Sequence, residues 1–144
     1  PSHPRCLANR GANGIDGELA TLLGLSEAAE ESWGIFGDLT TLYDLNAPAL
    51  LNQLRPGRRR FVVINNGGGR IFSRLPSLSG MTDSEKQVTE NRHQFHIGDW
   101  AAMWGMDYVR WDAGDHAPVI EGGAVVIEVV TDDAASQDFW EAWK

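Results

Sequence analysis

Short apolar runs alternate along the chain with stretches in which apolar residues recur every three or four positions. The runs Trp33-Gly34-Ile35-Phe36, Phe61-Val62-Val63-Ile64 and Ala124 to Val130 have strand length and are rich in β-branched and aromatic residues. Asp107 to Trp111 alternates as a strand does, and residues 5 to 9 read as a further short strand. Helical spacing occurs at Leu19, Leu22 and Leu23 within Glu18 to Leu25. It recurs at Leu50, Leu51 and Leu54, with Asn46 as N-cap, Pro48 in the first turn and Pro56-Gly57 as the stop. A third instance, Ile97, Trp100, Ala101 and Trp104, is ended by Gly105. Leu39 to Asp44 has room for one or two helical turns, Arg70 to Ser73 begins a short helix, and Asp132-Asp133 cap a last helix anchored by Phe139, Trp140 and Trp143. Helices alternating with buried strands predict a three-layer α/β/α domain around a mostly parallel sheet. Residues 76 to 94 and 114 to 123 lack periodicity and are expected as loops.

Two strand ends draw attention. Trp33 to Phe36 gives way abruptly to Gly37-Asp38, and Phe61 to Ile64 gives way to Asn65-Asn66-Gly67-Gly68-Gly69. If the two strands are parallel, both ends lie on the edge of the sheet where open α/β folds form their ligand crevice. A carboxylate from Asp38 and a carboxamide from Asn66 would suit a hard cation such as Mg2+, which keeps phosphate oxygens or water in its remaining positions. The three glycines allow a close backbone approach to such a ligand. Upstream, Arg10 to Gly17 is a glycine-rich turn between a strand and a helix, a βα unit without the dinucleotide fingerprint. Beside the glycine loop, Ile71 and Phe72 read either as a pocket wall or as core.

Composition narrows the field. The 144 residues, 42% hydrophobic and 22% charged, fit one globular domain, 1–144. A formal charge of -8 argues against general binding to nucleic acid or to an anionic membrane. The basic cluster Arg55, Arg58, Arg59 and Arg60 is expected to be a solvated turn. The single Cys6 excludes an internal disulfide and, on its expected strand, reads as a buried inert thiol. No stretch approaches the roughly 18 apolar residues of a membrane span, so the cytoplasm is the expected location. His93 and His96 lack a third ligand nearby and are expected at the surface or facing substrate. The opening Pro1-Ser2-His3-Pro4 reads as the middle of a longer chain.

Asp38, followed 28 residues later by Asn66, resembles the thiamine diphosphate signature, in which GDG or a variant precedes paired asparagines; Leu39 stands at the last glycine. Within that superfamily, NRGANGIDG (Asn9 to Gly17), GDLTTLYDLNA (Gly37 to Ala47) and NNGGGRIFSRLP (Asn65 to Pro76) resemble one family. These are the 2-succinyl-5-enolpyruvyl-6-hydroxy-3-cyclohexene-1-carboxylate synthases of menaquinone biosynthesis. The resemblance implies the thiamine diphosphate-binding fold, specifically its diphosphate domain. It also implies a reaction, in which the cofactor attacks 2-oxoglutarate, CO2 leaves, and the remaining four-carbon unit adds to isochorismate.

The resemblance further implies site residues. Asp38, the side chain of Asn66 and the backbone carbonyl of Gly68 would hold Mg2+ (or Mn2+), while the N–H groups of Leu39 and Thr40 meet the diphosphate. Ile15 would wedge the cofactor into its bent shape and the Asn13 carbonyl would accept a hydrogen bond from its amino group. Arg10 would bind a substrate carboxylate, and Ile71, Phe72 and Leu75 would wall the thiazolium and substrate. The family's activating glutamate belongs to a pyrimidine-binding domain that these residues do not include, expected from a second subunit of a homo-oligomer, so the chain alone is expected to be inactive. The segment from Trp111 to Ala124 is too short and glycine-rich for the helix the family places there. Two other assignments remain open at this level: a non-catalytic module that binds thiamine diphosphate or a partner subunit, and another decarboxylase of the superfamily.

Overall fold

A computed structural model describes residues 5–9, 14–112 and 114–143. Its centre is a sheet of four parallel strands, β1 (Glu31–Gly37), β2 (Arg58–Asn65), β3 (Asp107–Asp112) and β4 (Ala124–Val130), in the order β1-β2-β4-β3. Among the described residues, five α-helices accompany it: α1 (Glu18–Ser26), α2 (Asp38–Tyr43), α3 (Asp83–Thr89), α4 (Ile97–Met103) and α5 (Asp133–Ala142). The architecture is three-layer α/β/α with a mostly parallel sheet, as the alternation of patterns predicts.

The sheet's alternation decides the layers. Phe36, Phe61, Val63 and Val126 point to one side and meet Leu19 and Leu23 of α1 and Ile97, Trp100 and Ala101 of α4. Gly34 lets α1 approach: a Cβ there would lie 2.6 Å from the Leu22 side chain. Polar ties fix the layer's position. Asp44, just beyond α2, accepts from the N–H groups of Leu19 and Ala20 at 2.8 and 3.3 Å, satisfying donors that the first turn of α1 leaves open. The indole N–H groups of Trp100 and Trp104 both donate to the Leu45 carbonyl at 2.9 Å. The junction after α2 thereby locks both helices against the site edge of the sheet. On the other side α5 faces Trp111 and Val129 of the sheet across a hollow.

Several expectations are corrected. Residues 5–9 form no strand and Cys6 is exposed, because a strand's composition alone does not make a strand stable outside a sheet. Ala47–Gln53 is a 3-10 helix rather than an α-helix, and Asn46 makes no side-chain cap. Residues 76 to 94 are not one long loop. They hold a 3-10 turn, Pro76–Leu78, and α3, which starts at a capping box between Thr82 and Glu85.

Arg59 and Arg60 are buried, at 4% and 2% exposure, not solvated. Arg59 donates to Ser26 Oγ at 2.8 Å and to the Arg55 carbonyl at 2.9 Å; Arg60 donates to the Gly122 and Gly123 carbonyls at 3.1 and 3.0 Å. These carbonyls replace the water that a buried guanidinium gives up. The aromatic residues of α5 do not anchor it in the core: Phe139, Trp140 and Trp143 are exposed and pack on one another, with the Arg74 guanidinium 4.5 Å from the Trp140 ring centre. Residues 114–123 contain no helix, as their glycines predict, and no described helix is long and apolar enough to cross a membrane.

Candidate functional site at the carboxyl ends of β1 and β2

Parallel pairing of β1 with β2, Gly37 opposite Ile64, brings the residues after both strands to one edge. Asp38 opens α2 there and is only 3% exposed. Its Oδ2 accepts from the N–H groups of Asn66 at 3.1 Å and Gly68 at 2.9 Å, while Oδ1 accepts from Leu39 N–H at 2.7 Å. An ionised carboxylate offers about four acceptor positions. Backbone donors fill three, and the one left belongs to Oδ1.

The loop that crosses Asp38 is held by its own peptide groups. Gly68 has φ 136, and a Cβ on it would lie 2.7 Å from the Glu90 carbonyl oxygen, so only glycine fits there without displacing the chain. Next to it, Gly69 N–H donates to that same Glu90 carbonyl at 2.6 Å. The Gly68 carbonyl accepts from Arg70 N–H at 2.8 Å and keeps a second lone pair.

Asn66 shows what the loop lacks. Its side-chain Oδ1 is buried and has no hydrogen-bond partner. A buried carbonyl left so costs about 1–3 kcal/mol, which a cation at that oxygen would offset. One carboxylate, one carboxamide and one backbone carbonyl make an oxygen-only donor set of the kind Mg2+ takes while keeping other oxygens around it. Among the described residues no three His, Cys, Asp or Glu side chains converge, so a cation here depends on Asn66 and the backbone. The residues present fit a hard divalent ion.

Two residues of this knot were not legible as site residues. His93, expected at the surface or facing substrate, is largely buried, with Nε2 3.2 Å from Asp38 Oδ2. That nitrogen is off the hydrogen-bonding line and has no partner, while Nδ1 accepts from Phe95 N–H at 3.1 Å, which places the proton of the neutral ring on Nε2. Glu90 is fully buried; its Oε2 pairs with Arg92 Nε at 2.6 Å and lies 3.6 Å from Arg70 Nη1, and its Oε1 has no partner. Both lie just after α3, whose capping box was the one sequence signal for order in this stretch. His96 does not join them and is exposed.

The remaining sequence-predicted residues fall into three groups. Leu39 and Thr40 lie in the first turn of α2, next to Asp38. Ile71, Phe72 and Leu75 follow the glycine loop and are 68%, 38% and 41% exposed, so none is core. Ile15 is exposed just before α1. Arg10 and Asn13 lie outside the described residues. A mostly apolar hollow of about 440 Å3 lies away from Asp38, between Trp111, Val129 and the aromatic face of α5.

No protein-family model matches the chain. It is 38% identical over 141 residues to a 2-succinyl-5-enolpyruvyl-6-hydroxy-3-cyclohexene-1-carboxylate synthase of Bdellovibrio bacteriovorus, covering 96% of this chain and 25% of that protein. An Akkermansia muciniphila protein of the same name is 46% identical over 102 residues, covering 71% of this chain and 19% of its own. One from Pectobacterium atrosepticum is 41% identical over 131 residues, covering 86% and 23%. Over most of its length the chain is homologous, at moderate identity, to part of these synthases. It spans about a quarter or less of the length of the curated relatives it matches.

Proposed function

We propose that residues 1–144 form the metal- and diphosphate-binding domain of a thiamine diphosphate-dependent synthase of menaquinone biosynthesis, acting in the cytoplasm. The enzyme decarboxylates 2-oxoglutarate and joins the remaining unit to isochorismate. The observation that carries this is the partnerless, buried Oδ1 of Asn66 in the loop that closes over Asp38, in a chain similar to proteins of that name.

Asp38 Oδ1, Asn66 Oδ1 and the Gly68 carbonyl would hold Mg2+ or Mn2+. Leu39 and Thr40, in the turn that begins at Asp38, would present N–H groups to the diphosphate. Bound there, thiamine diphosphate would supply the electron sink that lets a 2-oxo acid lose CO2 and form a new carbon–carbon bond. The chain's own residues bind and orient. Ile15 would hold the bend of the cofactor and the Asn13 carbonyl its amino group, and Arg10 would take a substrate carboxylate in bidentate fashion. Exposed Ile71, Phe72 and Leu75 would exclude water from the substrate side once a second wall faces them. That wall is the pyrimidine-binding domain of the same enzyme, contributed by a second subunit of a homo-oligomer and carrying the activating glutamate. The exposed apolar side chains of Ile71, Phe72 and Leu75, beyond the loop that closes over Asp38, support a site completed by another domain.

The test is product formation by the full-length protein from isochorismate and 2-oxoglutarate with thiamine diphosphate and Mg2+, wild type against Asp38→Ala. Turnover that needs both additions and is lost in the variant supports the proposal. Cofactor binding without turnover would leave a binding module instead, and equal turnover by the two proteins would reject the site.

A further inference from the structure

A carboxylate lies inside the most apolar strand of the molecule. Glu128 interrupts the run Ala-Val-Val-Ile-Glu-Val-Val of β4 and is 5% exposed. Burying an ionised carboxylate in such a run is costly unless donors meet it, and here both oxygens are met. Oε2 accepts from the Tyr108 hydroxyl on β3, and Oε1 accepts from Asn65 Nδ2 at 2.6 Å, on the last residue of β2.

The consequence lies in the loop. An ionised carboxylate only accepts, so it can meet Asn65 only through the Nδ2 side of the amide. The Asn65 oxygen must then face the other way, where it accepts from Gly67 N–H at 3.1 Å. That N–H and the Asn66 carbonyl belong to one peptide unit, and the carbonyl accepts from Arg70 Nε at 2.9 Å. The peptide that follows Asn66 is thus held at both ends, from one side by Asn65 and from the other by Arg70. Its orientation sets where the side chain of Asn66 stands.

We propose that Glu128, steadied by Tyr108, is a positioning residue for the metal-binding loop. It acts through Asn65 to hold the Asn66–Gly67 peptide and so aims Asn66 Oδ1 at the cation. This rests on the metal site proposed above. Outer residues that orient the ligands of a metal commonly affect its affinity by one to two orders of magnitude. Glu128 stands further out, so the lower end applies.

The experiment uses the full-length protein with thiamine diphosphate and Mn2+ as the ion, read by electron paramagnetic resonance well below the unfolding transition. Amide hydrogen exchange is measured on the metal-free protein. Glu128→Ala is expected to weaken Mn2+ binding roughly tenfold and to speed exchange at Gly67 while the amides of Phe61 and Val126 stay protected. Glu128→Gln can turn its own amide to offer Asn65 an oxygen, and is expected to recover most of the affinity. Tyr108→Phe removes one hydroxyl and keeps the ring, so it serves if Glu128→Ala does not fold; a smaller loss of affinity with faster Gly67 exchange is expected. Wild-type Mn2+ affinity and Gly67 protection in these variants, with binding abolished in Asp38→Ala, would overturn the inference and leave the metal site standing. Wild-type binding by Asp38→Ala would remove the metal site and the inference together.

Discussion

The two ends of the sheet bury polar groups in opposite ways. At the amino ends of the strands, Arg59 and Arg60 are as buried as core leucines, and hydroxyl and carbonyl oxygens meet their guanidinium groups. At the carboxyl ends, Asp38 is equally buried, but around it Asn66 Oδ1, Glu90 Oε1 and His93 Nε2 have no hydrogen-bond partner. A buried polar group with its partners in place contributes to a unique fold. One without a partner costs stability, and the fold keeps it only where something else will meet it. At the amino end, among the described residues, Ser32 Oγ stands alone without a hydrogen-bond partner, whereas at the carboxyl end the partnerless atoms of Asn66, Glu90 and His93 cluster around Asp38, where the ligand proposed above would meet them.

The contrast is most exposed to test at Arg60. Arg60→Ala takes the Arg60 donor from the Gly122 and Gly123 carbonyls, of which Gly123 keeps Arg59 N–H at 2.8 Å, and empties the volume of a large buried side chain; stability to urea is expected to fall by about 3 kcal/mol, with metal affinity of the folded protein unchanged. Unaltered stability would show that the amino end is not held by this group. Gly68→Ala acts at the other end. With φ 136 and a Cβ 2.7 Å from the Glu90 carbonyl, it should cost about 2 kcal/mol and, unlike Arg60→Ala, also weaken metal binding. Stability loss with unchanged metal binding would separate the loop's shape from the site.

The smallest expected effect concerns pH. Burial first, and then the hydrogen bond to Glu128, push the Tyr108 hydroxyl up from 10.0 to about 12. A raised value means the fold prefers the protonated hydroxyl. That contribution is whole below pH 10 and is lost as pH rises from 10 through about 12. Denaturation of wild type and Tyr108→Phe across that window should show the steeper decline in wild type. Parallel declines would show that the Tyr108–Glu128 contact does not couple to folding.

What the sequence reveals follows from how local each cause is. β2 and β4 are readable because apolar runs of strand length reflect burial on both faces, and Asp38 and Asn66 because each ends such a run. Asn46 and Pro48 signal a helix start, but the choice of 3-10 geometry depends on what packs there. α3 has no buried residue and hence no apolar stripe; only the Thr82–Glu85 box betrays it. Residues 5–9 have a strand's composition, but pairing depends on a neighbour. Arg59 and Arg60 look like surface charge because the carbonyls that accept from Arg60 are 62 and 63 residues away. Glu128 hides in a β-branched run for the same reason: its donors come from two other strands.

The measurement that bears most directly on the carboxyl end is calorimetric titration of thiamine diphosphate into the full-length protein with Mg2+ or with a chelator, for wild type and Asp38→Ala. The account predicts binding by wild type that disappears with the chelator and is absent in Asp38→Ala. Equal, metal-independent binding by both proteins would contradict it.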